Sequence, residues 1–264
     1  MKYRTITYQV KDEVGFITLN RNEYANAINL IMINEILKVL HETGNHSIRA
    51  LVIEHTSEFF SAGLDLENTV ELTGSQIEEL SNRFLELIHA ISSAPIPVIA
   101  TVDGKIMGGA TGVVAACDLV LITENASFSL PEVMSGMIPA LILPTLLNRI
   151  PAGKLQALGV GSFEIRGKEL IDCGFADRFS NNLQALLSDQ LKRIKRSQPQ
   201  AIRTFKDVLK KIDDSHSEEM SAIAQNALHS WLKRDQQLEI IKSIASGEVP
   251  FWNNTLEKDG VSDD

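Results

Sequence analysis

The chain has 264 residues, of which 44% are hydrophobic and 22% are charged, a composition typical of one globular domain with a sizeable core. Its formal net charge of −9 argues against a general nucleic-acid binder, because such proteins need a basic surface for phosphate. Cys117 and Cys173 lie in apolar surroundings without metal-ligand spacing, so we expect buried, reduced thiols. With no apolar signal region and no run long enough to span a membrane, we expect a cytoplasmic protein.

Predicted strands and helices alternate through the first half of the chain. They are a hairpin of Thr5–Val10 with Val14–Leu19, a helix over Leu30–Glu42, a strand over Ala50–His55 and a helix over Gln76–Ser93. Asn29 is a candidate cap for the first of these helices. The run Ala50–His55 is largely apolar, which indicates a strand buried on both faces.

The second half begins with a strand and becomes helical. Its predicted elements are a strand over Pro97–Val102, a helix interrupted at Pro144 over Pro139–Arg149, helical turns over Lys154–Leu158 and Lys168–Cys173 with Gly174 as a cap, and helix from Leu183 onward. This order predicts an α/β core followed by helices. We expect the core over residues 1–195, a helical region over 196–252 and an acidic, disordered tail over 253–264.

A glycine pair and a glutamate stand out in the middle of the chain. Gly108 and Gly109 follow a predicted strand and open a short helix, where backbone N–H groups collect partial positive charge. Glu132 follows the apolar run Leu119–Ile122, which is predicted to be a second strand, and the segment Phe128–Pro131. A positive turn and a carboxylate placed by strands indicate a site where an oxyanion forms while a proton moves.

Three stretches together resemble the crotonase (enoyl-CoA hydratase/isomerase) superfamily. They are FFSAGLDL at Phe59–Leu66, PVIATVDGKIMGGATGVVAACDLVL at Pro97–Leu121 and ASFSLPEVMSGMIP at Ala126–Pro139. The resemblance implies a spiral of ββα units with C-terminal helices that form trimers, or a dimer of trimers. It also implies an acyl thioester substrate on the phosphopantetheine of an acyl carrier protein or on CoA, with no further cofactor and no metal.

The resemblance also implies roles for individual residues. The backbone N–H groups of Leu64 and Gly109 would form an oxyanion hole, and Glu132 would be the catalytic acid/base. Family hydratases use a second glutamate, and the matching position here is Gly112, which has no side chain. The sequence therefore favours chemistry by one carboxylate, which can still move a single proton.

Three further residues are expected beside the substrate. They are Ala62, Asp65 and Gly108. For Asp65 the alternative is a turn-forming carboxylate that hydrogen-bonds its own loop.

A narrower likeness points to the dehydratases that serve β-branching in polyketide synthase clusters. It rests on Ala140–Pro144, where hydratases usually have glycines after Ile-Pro, and on GEVPFW at Gly247–Trp252. The resemblance implies dehydration of a 3-hydroxy-3-methylglutaryl group on an acyl carrier protein to the 3-methylglutaconyl thioester.

Other interpretations stay open. The chain could be an enoyl-CoA isomerase or hydratase of acyl-CoA metabolism, a related decarboxylase, or an inactive scaffold subunit that binds thioesters. His89, on a mostly apolar helix, is favoured as structural over catalytic. The basic segment Lys192–Lys211 is interpreted first as a solvated helix face and alternatively as a docking patch for an acidic carrier or for CoA phosphates.

Overall fold

The computed structural model describes residues 3–43, 48–65 and 74–232 of the chain. Within these ranges the strands are β1 Ile6–Lys11, β2 Val14–Leu19, β3 Ala50–His55, β4 Phe59–Ser61, β5 Val98–Val102, β6 Lys105–Met107, β7 Leu119–Ile122, β8 Ser127–Ser129, β9 Ile165–Arg166 and β10 Arg178–Phe179. The helices are α1 Leu30–Thr43, α2 Gly74–Ser92, α3 Gly109–Ala115, α4 Leu143–Leu147, α5 Ala152–Gly161, α6 Lys168–Asp172, α7 Leu183–Arg196 and α8 Pro199–Leu232. Short 3-10 turns lie at Asn22–Tyr24, Glu132–Ser135 and Ala140–Ile142.

The strands form two sheets that share a repeating unit. The larger sheet has the order β1-β2-β3-β5-β7-β10 and the smaller one β4-β6-β8-β9. The pairs β3 and β4, β5 and β6, and β7 and β8 each put their first strand in the larger sheet and their second in the smaller. Helix α2 follows the first pair and α3 the second, which confirms the predicted α/β spiral of ββα units.

The strands of the larger sheet carry two apolar layers, because successive side chains of a strand point to opposite faces. One layer joins the main core, and the other is covered by α7. The second layer consists of Val14, Ala50, Val52, Ile99 and Leu121, packed against leucines of α7 that include Leu183, Leu187 and Leu191. The first four residues of β3 are buried, so the expected burial on both faces is confirmed there.

Two predicted helix caps are present. The Asn29 Oδ1 atom accepts a hydrogen bond from the Met32 N–H at 3.0 Å, which satisfies one donor of the first turn of α1. Gly174 has a φ of +84° and donates its N–H to the Ile171 carbonyl at 3.0 Å just after α6.

The helix predicted over Pro139–Arg149 is wrong in its detail. Pro144 does not interrupt a helix but is the second residue of α4, where its missing N–H has no intrahelical partner to lose. A separate 3-10 turn at Ala140–Ile142 precedes it, and all three residues of this turn are buried.

Helix α8 packs against the 3-10 turn at Ala140–Ile142 and against α4. Helices α7 and α8 extend to Leu232, the last described residue. GEVPFW at residues 247–252 and the predicted tail at 253–264 lie outside the described residues, and the proposed domain limits stay predictions. None of the helices in the described ranges combines the length and apolar character needed to cross a membrane.

Candidate active site

The site lies where three parallel strands of the smaller sheet end. Residues 62–64 follow β4, residues 108 and 109 follow β6, and Glu132 comes three residues after the end of β8. Carboxyl ends of parallel strands meet at the same edge of a sheet and commonly form ligand sites. The three motifs of the sequence thus converge on one place.

Gly63 brings the first segment into direct backbone contact with the second. Its φ is +95°, and a Cβ added there would lie 2.8 Å from the Met107 carbonyl oxygen and 3.1 Å from the Gly109 nitrogen. Any larger residue would push the two segments apart. The glycine therefore sets how closely the turns after β4 and β6 approach each other.

The backbone N–H groups of Leu64 and Gly109 are neighbours across this contact. A Cβ added at Gly109 would lie 3.4 Å from the Leu64 nitrogen. Gly109 is the first residue of α3, where N–H groups lack intrahelical partners. Neither N–H has a hydrogen-bond acceptor among the residues that the structure describes. Such a pair of donors can bind one anionic oxygen.

Glu132 lies directly against Gly108. A Cβ added at Gly108 would be 2.8 Å from the Glu132 Oε1 atom, and the Gly108 φ and ψ of 49° and −129° belong to a region that glycine adopts readily. The Gly108 N–H donates to the Ser129 carbonyl at 3.1 Å, which ties this turn to the end of β8. The carboxylate is therefore held beside the turn that carries the Gly109 N–H.

The Glu132 carboxyl is partly desolvated. Its Oε2 atom is buried and has no hydrogen-bond partner within the described part of the chain. Burial raises the pKa of this carboxyl to about 7, and a hydrogen bond from its own backbone N–H opposes the shift. A carboxyl with a pKa near neutral pH can both accept and return a proton. An unsatisfied buried carboxylate oxygen is costly to keep and is a frequent mark of a functional group.

The position where a second glutamate would stand is filled by other residues. A Cβ added at Gly112 would lie 2.4 Å from the Ile142 Cγ2 atom and 3.3 Å from the Ile88 Cδ1 atom. Both isoleucines are buried, with exposed fractions of 2% and 6%. The space beside Gly112 is therefore apolar and packed. The Ile142 side chain that fills it belongs to residues 140–144, the stretch that lacks the glycines usual in hydratases.

The other predicted substrate neighbours are accounted for by contacts within the protein. The Ala62 N–H donates to the Ala25 carbonyl at 2.9 Å. The Asp65 carboxylate is buried and forms an ion pair with Arg21 at 2.6 Å. Substrate contact through the Asp65 carboxylate therefore has no support in this geometry, and its partner is an arginine of another loop.

His89 and two lysines of the basic segment lie in a second cluster. The Lys210 Nζ atom lies 3.0 Å from the His89 Nε2 atom and donates to Ser93 at 2.8 Å. Lys206 donates to the Ile96 carbonyl at 3.2 Å and forms an ion pair with Asp118 at 2.5 Å. Lys206 and Lys210 of the basic segment therefore contact other residues of the fold, and His89 belongs to the same cluster.

Sequence reasoning missed Arg21 and Ile142. Arg21 stands in a polar stretch where nothing in the sequence distinguishes a buried arginine from a solvated one. Ile142 lies in the stretch that departs from hydratases, but its contact with Gly112 joins positions 30 residues apart, and the sequence does not indicate that these positions meet. Among the described residues no group of histidine, cysteine and carboxylate side chains could hold a metal ion.

The chain is similar in sequence to several known proteins. A family model described as enoyl-CoA hydratase/isomerase matches residues 9–249. The bacillaene synthase dehydratase PksH of Bacillus subtilis is 27% identical over 251 residues, which cover 94% of this chain and 97% of that protein. A probable enoyl-CoA hydratase of Mycobacterium leprae, echA8, is 27% identical over 96% of this chain and its own full length.

Solved structures show the same relationships. The crystal structure of PksH from Bacillus subtilis superimposes with a TM-score of 0.85 at 27% identity and covers 94% of this chain and 100% of that one. An enoyl-CoA hydratase from Bacillus halodurans gives a TM-score of 0.83 at 18% identity over 91% of this chain and 100% of that one, which concerns the fold alone.

Proposed function

The chain belongs to the enoyl-CoA hydratase/isomerase family, and from that premise we propose that it dehydrates a 3-hydroxy-3-methylglutaryl thioester to the 3-methylglutaconyl thioester. The acyl group would be carried on the phosphopantetheine of an acyl carrier protein, in the β-branching steps of polyketide synthesis. Its enzymatic class is that of a lyase, as in the dehydratase and hydratase relatives.

The observation that carries the proposal is the Glu132 carboxyl. It is held 2.8 Å from where a Gly108 Cβ would be, with one buried oxygen that no described residue satisfies. We assign it both proton transfers. It removes the proton from C2 of the acyl group and then gives that proton to the C3 hydroxyl, whose C–O bond breaks to release water while C2 and C3 become doubly bonded.

The backbone pair of Leu64 and Gly109 supplies the second part of this mechanism. Loss of the C2 proton places negative charge on the thioester oxygen as an enolate. Two N–H groups already oriented toward that oxygen stabilise it without reorganisation, an effect that single-donor removals put at roughly 3–4 kcal/mol. Backbone of Ala62, Gly108 and Asp65 would line the acyl group beside them.

The packed contact at Gly112 supports a one-carboxylate mechanism. An acid at this position would have to displace Ile142, which is buried behind it. Two-carboxylate handling of a water molecule, as in ordinary hydratases, therefore has no place for its second group. One carboxylate is enough when the leaving hydroxyl and the C2 proton depart from the same face of the substrate.

The similarity to PksH supports the pathway. That protein is described as a dehydratase of bacillaene synthase, and its likeness extends over nearly the whole of both chains. We extend to this chain the acyl carrier protein as partner and a homotrimer or dimer of trimers as the assembly, without a dissociable cofactor. Two buried free thiols fit the reducing cytoplasm that we propose for it.

In the test, the purified protein is incubated with 3-hydroxy-3-methylglutaryl acyl carrier protein and, separately, with the same acyl group on CoA. Intact-protein mass spectrometry should show loss of one water molecule from the carrier-bound group. Mass spectrometry of the CoA thioester should show the same loss at a lower rate. An unchanged mass would refute the substrate assignment, and equal rates on both carriers would favour acyl-CoA metabolism. A loss equal to carbon dioxide would point to the decarboxylase alternative.

An enoyl thioester isomerase is the second candidate, because one carboxylate can also move a proton between C2 and C4. Isomerisation leaves the mass unchanged but shifts the double bond into conjugation, which ultraviolet absorbance detects. An inactive scaffold would exchange no C2 proton with deuterated water on any thioester.

A further inference from the structure

We infer that Arg21 is a positioning residue of this site, which fixes the direction of the Leu64 N–H through an ion pair with Asp65. The inference rests on the proposed function, since it assigns Leu64 a transition-state contact. Arg21 itself touches no reacting atom in this role.

One guanidinium nitrogen joins two separate loops. The Arg21 Nη1 atom lies 2.6 Å from the Asp65 Oδ2 atom and donates to the Ala27 carbonyl at 2.8 Å. Both charged side chains are buried, with exposed fractions of 9% and 5%. In such surroundings a charge pair is only weakly screened, so its geometry is well defined.

The two residues held by Arg21 flank a backbone bridge. Ile28 and Leu64 form an isolated parallel bridge, in which the Ile28 N–H donates to the Gly63 carbonyl at 2.7 Å and the Asp65 N–H donates to the Ile28 carbonyl at 3.0 Å. Ala27 precedes Ile28 and Asp65 follows Leu64, so Arg21 joins the neighbours of both bridge partners. In this pattern the N–H of Leu64 itself points away from Ile28, toward the side where Gly109 lies.

The loop that carries Arg21 is itself firmly held. The Asn26 Oδ1 atom accepts the Arg21 N–H at 2.8 Å, and its Nδ2 atom donates to the Phe59 carbonyl at 3.1 Å. Ala25 and Asn26 both have positive φ, at 49° and 52°, which non-glycine residues keep only when their surroundings determine the backbone. The ring of Tyr24 lies 4.2 Å from the guanidinium carbon. These contacts make a rigid support directly outside the turn at Gly63 and Leu64.

The test removes both charges together, because loss of one would leave the other buried and unpaired. The double variant Arg21→Gln/Asp65→Asn should lower kcat for dehydration by roughly 10- to 100-fold with little change in KM, since a small displacement of an oriented donor costs about that much. The conservative variant Arg21→Lys keeps the charge and should recover most of kcat. If the double variant does not fold, Asp65→Asn alone takes its place, because the amide oxygen can still accept a hydrogen bond from Arg21 but carries no charge. A kcat equal to wild type in that variant would overturn the inference.

A matched control is available in a second partly buried pair. Arg149 lies 3.0 Å from Asp177 and also donates to backbone carbonyls, among them that of Ala115 at 2.8 Å. Arg149→Gln/Asp177→Asn should lower Tm with kcat unchanged at temperatures where both variants are folded. Equal kcat for the two double variants would show that Arg21 only stabilises the fold, and the inference would be wrong.

A second readout separates this inference from the proposed function. The rate at which the enzyme exchanges C2 protons of butyryl-CoA with deuterated water needs the oxyanion donors and Glu132 but not the natural acyl group. Wild-type exchange without dehydration would refute the substrate while still measuring the effect of Arg21. If wild type neither dehydrates nor exchanges, both the proposed function and the role of Arg21 are overturned.

Discussion

Glu132 combines two properties that oppose each other in an ordinary protein carboxylate. It lies in a partly buried position with an unsatisfied oxygen, which disfavours its charged form, and the proposed mechanism requires that charged form as a base. The side chain lies against the turn at Gly108, and the Gly108 N–H ties that turn to the end of β8. The same burial that disfavours the charged carboxylate raises its pKa into the range in which it could both accept and return a proton.

The first prediction concerns the pH dependence of the reaction. Because burial raises the pKa of Glu132 to about 7, the base form is lost as the pH falls through that value. We expect kcat/KM for dehydration to rise with pH, pass half its maximum near 7 and level off above it. Initial rates across a buffer series measure this profile, and a plateau that continues down to pH 5 would contradict it.

The second prediction concerns stability. The folded-state pKa of Glu132 lies above its ordinary value of 4.5, so the stability associated with the protonated form is present below pH 4.5 and lost as the pH rises through about 7. At pH 8 the charged group opposes folding, and Glu132→Gln should raise the free energy of unfolding by about 1–3 kcal/mol. Near pH 4.5 the gain should largely disappear.

Urea unfolding at both pH values measures this difference. Glu58→Gln is the control, because the Glu58 carboxylate is 70% exposed in a surface ion pair with Lys105 and should change stability little at either pH. A stability loss in Glu132→Gln at pH 8 would mean that the carboxylate has a partner that stabilises its charge.

At this scale the sequence predicted the identities of Glu132, Leu64 and Gly109 by resemblance, and the structure brings them together. Arg21 could not be predicted in the same way. The role proposed for it depends on burial and on an ion pair with a residue 44 positions away, neither of which its local sequence indicates.

Among the elements, the turn at Ala140–Ile142 has the largest consequence for the site. It carries Ile142 into the space beside Gly112 and is packed from outside by α8. The sequence showed that this stretch lacks the usual glycines and that Gly112 lacks a carboxylate. The structure shows that the two departures are one feature, since the Ile142 side chain occupies the room that a side chain at position 112 would need.

The third prediction tests this coupling. Gly112→Glu alone should destabilise the protein by about 1–3 kcal/mol or more, because its Cβ would lie 2.4 Å from Ile142 Cγ2. The double variant Gly112→Glu/Ile142→Ala should recover part of that lost stability. It should also acquire activity for the hydration of crotonyl-CoA, which is measured as the decrease in enoyl absorbance. Ile142→Ala alone is the control, and equal hydration by it and the double variant would show that the new carboxylate contributes nothing.

Strands were easier to predict than this turn. Runs such as Ala50–His55 report their burial through their own composition, and the bounds of β3 match the prediction. The stretch around Pro144 is apolar without a clear period, and whether a proline ends or begins a helix depends on the residues packed around it.

At the scale of the whole molecule, α8 presents apolar side chains to solvent. Phe205, Val208 and Leu209 are 65%, 49% and 50% exposed. A cluster of large exposed apolar residues on one helix is typical of a surface that associates with another chain. The sequence predicted the helical region from periodicity, but its assembly came only from resemblance.

The fourth prediction is therefore a homotrimer or a dimer of trimers in solution. Light scattering coupled to size-exclusion chromatography should give a mass three or six times that of the 29.1 kDa chain. Phe205→Asp should shift the population toward smaller species, because it places a charge in the proposed contact. Asp189→Asn, on the exposed surface of α7, should leave the mass unchanged, and a monomeric wild type would contradict the prediction.

The most direct test of the central claim, that Glu132 alone performs the proton transfers, is the rate of water loss by Glu132→Gln. The substrate is 3-hydroxy-3-methylglutaryl acyl carrier protein, followed by intact-protein mass spectrometry against wild type and Glu58→Gln. We predict that Glu132→Gln is slower than wild type by roughly 10²- to 10⁴-fold, the usual contribution of a general acid/base, while Glu58→Gln keeps its rate. Dehydration by Glu132→Gln at a rate near wild type would contradict the mechanism.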